Sequence, residues 1–151
     1  MSTPRPRLFY LLNRARHAVY KAADVALLER LDITSVQLGA LFVIGEGGEC
    51  TPGDLAERLD LNASAVTGLA ERLERAGFIA RRPHEEDRRV TLLALTKAGK
   101  DRLKAARPLI DEMNGQLTAG FTPEETAIVV RFLENALNNV SPTLKARSTR
   151  K

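Results

Sequence analysis

Tryptophan is absent, cysteine occurs once and histidine twice in the 151 residues. The single thiol, Cys50, excludes an intrachain disulfide. It lies just before a helix start, where an inert small residue is the plain reading and an oxidant sensor the sharper one. His17 and His84 are far apart in sequence and no run has zinc-ligand spacing, so neither a metal nor any other cofactor is expected. His84 reads as a solvated loop histidine or as a phosphate contact. No stretch approaches the ~20 apolar residues that a membrane helix needs. The opening residues MSTPRPR lack the apolar core of a signal peptide, so a cytoplasmic protein with no membrane partner is expected. No phosphate loop, Ser-His-acid ordering or paired-carboxylate motif is visible, which argues against an enzyme.

What is present describes an ordinary soluble chain, 44% apolar and 28% charged. The length allows one domain, or a small domain with helical extensions. A formal charge of +4 is compatible with a polyanionic partner without establishing one. Residues 1–30 hold Arg5, Arg7, Arg14, Arg16, Lys21 and Arg30 against Asp24 and Glu29. The tail from Ser141 holds Lys145, Arg147, Arg150 and Lys151 with no acid. Basic ends suit proximity to DNA and plain solubility equally well.

The chain is organised around residues 51–96. Thr51 opens a helix with Pro52 first and Asp54 in the first turn, and Leu55, Ala56 and Leu59 give it one apolar stripe. Asp60-Leu61-Asn62 breaks the run, and Asn62 caps a second helix over 63–76. In that helix Val66, Leu69, Ala70 and Leu73 face a core. Ala63, Ser64, Thr67, Gly68, Glu71 and Arg72 lie opposite, and Gly77 stops it. The period then becomes strand-like: Phe78, Ile79 and Ala80 lead into Arg81-Arg82, and Val90, Leu92, Leu93 and Leu95 form a second run. Between them Pro83-His84-Glu85-Glu86-Asp87-Arg88-Arg89 is too charged to bury. Helix, turn, helix and basic hairpin make a winged helix-turn-helix, whose second helix enters a DNA major groove while the hairpin reaches backbone or minor groove.

On periodicity alone, Asn62, Ala63, Ser64, Thr67, Gly68 and Arg72 read as a solvated helix face. The basic hairpin following within the same stretch makes double-stranded DNA the better partner. Ser64 and Thr67 reach bases or phosphates, Arg72 suits phosphate, and Ala63 or Ala65 can touch a thymine methyl. In the hairpin, Arg81, Arg82, Arg88 and Arg89 alternate with Glu85, Glu86 and Asp87, which reads either as a self-neutralising loop or as a wing.

The flanks are helical. Residues 7–31 carry a broad apolar stripe. Thr34-Ser35-Val36-Gln37 has the capping-box form, and the helix it starts is apolar on most sides as far as Gly45. Glu49-Cys50 suits a short strand beside the wing. Thr96 caps a helix from Lys97, with Pro108 expected to kink it. Thr122-Pro123-Glu124-Glu125 starts a last helix, out to about Val140, rich in Ile128, Val129, Val130, Phe132, Leu133 and Leu137. Soluble monomers rarely expose that much contiguous apolar surface, so a homodimer is expected, with a compact monomeric bundle as the weaker possibility.

The stretch LAERLDLNASAVTGLAERLERAGFIARRPHEEDRRVTLLALTKAG resembles the core of the MarR (multiple antibiotic resistance regulator) family of transcription regulators. Its marks are Leu55-Ala56, Leu73-Glu74-Arg75-Ala76-Gly77, Asp87-Arg88-Arg89 and Leu95-Thr96-Lys97-Ala98-Gly99. The dense match covers about a third of the chain. The resemblance implies a homodimer built from the terminal helices, and a wing in which Arg89 or Arg88 enters the minor groove while Asp87 holds the arginine in position. A narrow A·T minor groove concentrates the negative potential that arginine suits.

The expected fold is mainly α with a small β-hairpin wing. Residues 1–34 would form a dimerisation helix, 35–96 the winged module, 97–140 further dimerisation helices and 141–151 a disordered basic tail. The expected function is a DNA-binding regulator, a repressor by family habit, on a pseudo-palindrome. A dimeric architectural nucleic-acid-binding protein without effector control is the alternative. Tyr10, Arg14 and His17, at spacings of four and three, could hold a small aromatic acid. The plainer reading is a solvated strip in which Arg14 pairs an acid of a second chain. The lack of tryptophan speaks against the urate-responsive branch of the family, whose pocket uses one.

Overall fold

The computed structural model describes residues 7–148, with side chains to residue 140. Six helices and a three-stranded sheet follow in the order α1 (Leu8–Leu31), α2 (Ser35–Gly47), β1 (Glu49–Cys50), α3 (Pro52–Leu59), α4 (Ala63–Arg75), β2 (Ile79–Pro83), β3 (Thr91–Leu95), α5 (Lys97–Leu117) and α6 (Pro123–Ser148). The chain divides into two compact units, Met1–Asp111 and Glu112–Lys151. This is the mainly helical architecture with a hairpin wing that the sequence pattern predicts.

Local chemistry sets the helix starts. Thr34 and Gln37 form a reciprocal capping box at α2, and Thr51 and Asp54 form another at α3, where Pro52 occupies the first turn. The Asn62 side chain accepts from the Ala65 N–H at 2.8 Å and opens α4. Thr122 and Glu125 repeat the reciprocal arrangement at α6, at 3.2 and 2.9 Å. Gly77 takes φ 77° after α4, a left-handed conformation that a side chain would strain.

The α4 apolar stripe closes a core shared by most of the first unit. Leu41 and Ile44 of α2, Leu55 of α3, Val66, Leu69 and Leu73 of α4, and Leu93 of β3 are each at most 1% exposed. Burying a side chain of this kind contributes about 1.5–3 kcal/mol. Strand order is β1-β3-β2, all antiparallel, with Glu49 opposite Ala94 and Ile79 opposite Leu95. Glu49-Cys50 therefore does form a short strand beside the wing.

The start of α5 is locked onto the α4–β2 corner. The Thr96 hydroxyl donates to the Gly77 carbonyl at 2.6 Å, and its N–H donates to the Phe78 carbonyl at 3.0 Å. A Cβ at Gly99 would lie 2.1 Å from that same Phe78 oxygen, so only glycine fits there. Arg102, one turn on, stands 4.9 Å over the Phe78 ring and donates to the Leu31 carbonyl, joining α5 to the end of α1. Pro108 lies inside α5, and the helix persists to Leu117.

One boundary differs from the sequence expectation. The last helix does not end near Val140 but runs on to Ser148, so the backbone of 141–148 is helical where the sequence pattern predicts a disordered tail. The helix passes through Ser141-Pro142, where the sequence pattern ends it, and beyond that proline Leu144, Lys145, Ala146 and Arg147 have high intrinsic helix propensity. Residues 1–6 and 149–151, including Arg5, Arg150 and Lys151, lie outside the described residues.

Candidate nucleic-acid interface

With Val66, Leu69, Ala70 and Leu73 buried, the opposite pole of α4 is set by helix geometry at about 100° per residue. That pole carries Ser64, Gly68, Glu71 and Arg75, with Ala63 and Thr67 toward one flank and Arg72 toward the other. Apart from half-buried Gly68, all of these are exposed. The Thr67 hydroxyl donates to the Ala63 carbonyl at 2.9 Å, leaving its lone pairs and methyl group facing outward. The site of a Gly68 Cβ lies 3.4 Å from an Arg72 guanidinium nitrogen, so the Arg72 head group folds back over the glycine. Asn62 stands at the start of this surface, its carbonyl oxygen occupied by the cap.

The four hairpin arginines fall into two pairs. At the base, Arg81 donates to Glu74 of α4 at 3.1 Å, and Arg82 donates through Nε to Glu49 of β1 at 2.7 Å. Arg82 also lies 4.0 Å from Glu85. These two cations are matched by acids of the same module and fasten the wing to it. At the tip, between the two strands, the His84 N–H donates to the Val90 carbonyl and the Val90 N–H to the Asp87 carbonyl, both at 2.9 Å. Asp87 accepts from the Arg89 backbone at 3.0 Å and from Arg89 Nε at 3.1 Å. Those hydrogen bonds hold the Asp87 carboxyl below its ordinary pKa. The Arg89 side chain is 92% exposed, so it is oriented without being covered. Arg88 is exposed, with no ion pair among the described residues.

The sequence pattern assigns the outward face as far as Arg72. Carrying the same period one step further from Glu71 reaches Arg75, exposed and without an ion pair among the described residues. Glu71 falls on that face in the sequence pattern, which gives it no task.

Elsewhere in the first unit, Arg14 and Arg7 stand 5.7 and 4.8 Å over the Tyr10 ring. His17 is brought not to that cluster but to Arg16, whose guanidinium donates to its Nε2 at 3.4 Å. A separate cleft of about 1060 Å³ opens between the end of α2, the sheet and α5. Phe42, Leu95 and Leu103 supply apolar wall, while Lys100, Lys104 and Arg107 supply cations. Its acids Glu46 and Glu49 are met by Arg58 and Arg82, which leaves the cleft cationic. Burial, first, and the nearby Asp54 carboxylate push the Cys50 thiol pKa up, which suppresses thiolate chemistry. No helix among the described residues is long and apolar enough to cross a membrane, and no cluster of histidine, cysteine and acidic residues among them suits a metal.

A winged helix-turn-helix with a clamped arginine at its tip defines a class of DNA-binding transcription factors, not of enzymes. The MarR family model matches residues 31–90. Over 83% of this chain and 90% of its relative, the sequence is 30% identical to the multiple antibiotic resistance protein MarR of Escherichia coli. It is 31% identical to the transcriptional activatory protein BadR of Rhodopseudomonas palustris, over 89% of this chain and 78% of that one. The structure of FabT from Streptococcus pneumoniae in complex with DNA superimposes with a TM-score of 0.77 at 27% identity, covering 91% of this chain and 97% of that one. The chain belongs to the MarR family of transcription regulators.

Proposed function

We propose that this regulator works as a homodimer that binds a pseudo-palindromic operator in the cytoplasm and represses transcription from it. The observation that carries the reading is the joint exposure of two surfaces of one module. The outward face of α4 suits a major groove, and beside it a wing presents Arg89 already oriented by Asp87. Asn62, Ala63, Ser64, Thr67, Gly68 and Arg72 form the groove surface, and Arg88 and Arg89 reach the minor groove or backbone. Arg81 and Arg82, matched by acids, act mainly by holding the wing. The dimer is supported by apolar side chains that each unit leaves exposed, among them Phe9 and Leu11 of α1 and Ile128, Val130, Phe132 and Leu133 of α6. Half-sites then lie about one helical turn apart.

A small aromatic acid loosens this binding. The cationic cleft of Lys100, Lys104 and Arg107 against Phe42 and Leu103 has the chemistry to hold one, and Tyr10 with Arg14 offers a second place. Such a ligand acts only by favouring a spacing of the recognition helices that does not fit the operator. The test is a footprint on DNA upstream of the protein's own gene, with and without salicylate-like compounds up to millimolar concentration. A discrete protected site that fades with compound supports the reading. Broad coverage without a discrete site supports an architectural role and overturns it. Activation is a second reading, favoured by the similarity to BadR, and a promoter reporter separates it from repression by sign.

A further inference from the structure

The outward pole of α4 carries a carboxylate where a protein that only gripped phosphates would be better served by a neutral or basic residue. Glu71 lies midway along that pole, exposed and without a hydrogen-bond or ion-pair partner among the described residues. It is not needed to cap, pack or pair anything in the fold described. One turn before it, the Thr67 hydroxyl hydrogen is taken by the Ala63 carbonyl at 2.9 Å, so Thr67 also presents lone pairs. Two acceptors therefore stand side by side on the surface assigned to the major groove.

The major-groove edges of the bases sort what such a surface can accept. Guanine offers only acceptors, N7 and O6, and repels a carboxylate. Thymine offers an acceptor and a methyl group. Adenine offers its N6 amine beside the N7 acceptor, so one carboxylate oxygen would face a lone pair. Cytosine offers its N4 amine with no acceptor beside it. One turn further along the same pole, Arg75, without an ion pair among the described residues, is a donor suited to guanine O6 and N7.

We infer that Glu71 is a specificity-determining residue that accepts a hydrogen bond from the N4 amine of a cytosine in each half-site. This rests on the proposed major-groove reading of α4. A carboxylate there disfavours sites lacking the amine by leaving its charge desolvated and unpaired, so its main effect is discrimination rather than affinity.

The test is selection from a random-sequence duplex library with the native protein, Glu71→Gln and Glu71→Ala, with thermal unfolding of each variant as a check on the fold. The native protein enriches a palindromic site with one cytosine per half-site at which replacement weakens binding about tenfold. Glu71→Gln moves the preference at that position alone toward adenine, whose N6 and N7 suit an amide, and Glu71→Ala flattens it. An enriched site whose consensus is the same for all three proteins overturns the role of Glu71 while leaving the regulator reading intact. A native protein that enriches no site overturns both.

Discussion

The same kinds of apolar side chain meet opposite fates in two regions of this chain. In the winged module, Leu41, Leu55, Leu73 and Leu93 are completely buried. In α6, Ile128 remains 56% and Leu133 43% exposed, although helical spacing gathers them as tightly as any core stripe. Periodicity says that a face is apolar; it does not say whether the same chain covers it. The module meets its own burial needs, with α2, α3, α4 and the sheet enclosing one core, so its outer face is free to be shaped for a polyanion. The terminal helices leave apolar faces exposed, which the proposed homodimer would cover.

The comparison breaks most sharply at α6. Ile128→Lys with Phe132→Lys should convert the protein to a monomer at micromolar concentration, read by light scattering. Operator affinity should fall roughly 10²-fold as the second half-site contact ceases to be intramolecular. A double variant that keeps twice the chain mass would remove α6 from the interface. In the module, Leu73→Ala should cost about 2–5 kcal/mol in denaturant unfolding through the cavity it leaves. If the two regions differ as argued, the loss at Leu73 is independent of protein concentration, whereas that of Leu133→Ala is largest where the native protein is fully dimeric and shrinks on dilution as native and variant dimers both dissociate.

Much of this is legible in the sequence because its causes are local. The caps at Thr34, Thr51, Asn62, Thr96 and Thr122 act over three residues, and the change of period after Gly77 marks where helix gives way to strand. Asp87 and Arg89 are two residues apart, so their clamp follows from the family motif, and the structure names Arg89 as the residue held. What escapes depends on distant chain. Arg82 meets Glu49 and Arg102 meets the Leu31 carbonyl only after folding, so the hairpin arginines look equivalent in sequence when Arg81 and Arg82 are already paired with acids outside the hairpin. Gly99 is another such case, since its reason is the Phe78 carbonyl pressed against it. The length of α6 escapes because Asn138-Asn139 and Ser141-Pro142 read as a stop, whereas the helix continues through them to Ser148.

Within the wing, the contrast between base and tip sets smaller effects. Arg89→Ala should weaken binding to specific and unrelated DNA alike by roughly 1–3 kcal/mol and lower the salt slope by about one unit. Arg81→Ala, which removes a cation already paired with Glu74, should change that slope less. Titrations at several salt concentrations compare the two. Equal slopes for both variants would erase the distinction between a fastening base and a reaching tip.

The smallest expected effect belongs to Asp87, which in the proposed reading acts on DNA only through the arginine it orients. Asp87→Asn keeps one acceptor for the Arg89 backbone but removes the charge that aligns the guanidinium, so affinity should drop by less than in Arg89→Ala. The pH dependence has a definite sign. The Asp87 carboxyl is held below its ordinary value, chiefly by the Arg89 side chain and then by the Arg89 N–H, with the nearby His84 a lesser cause. A carboxyl lowered in the folded state contributes an interaction present above its unfolded pKa, about 3.9, and lost only as pH falls through the lowered value. The clamp is therefore fully ionised between about pH 5.5 and 7.5. In a His84→Asn background, which removes that neighbour, operator affinity is compared with and without the Asp87→Asn substitution. The ratio of the two affinities should be the same at both ends of that range. A ratio that shrinks toward the acid end would mean that Asp87 is already taking up a proton there, and that the arginine is oriented by something other than this pair.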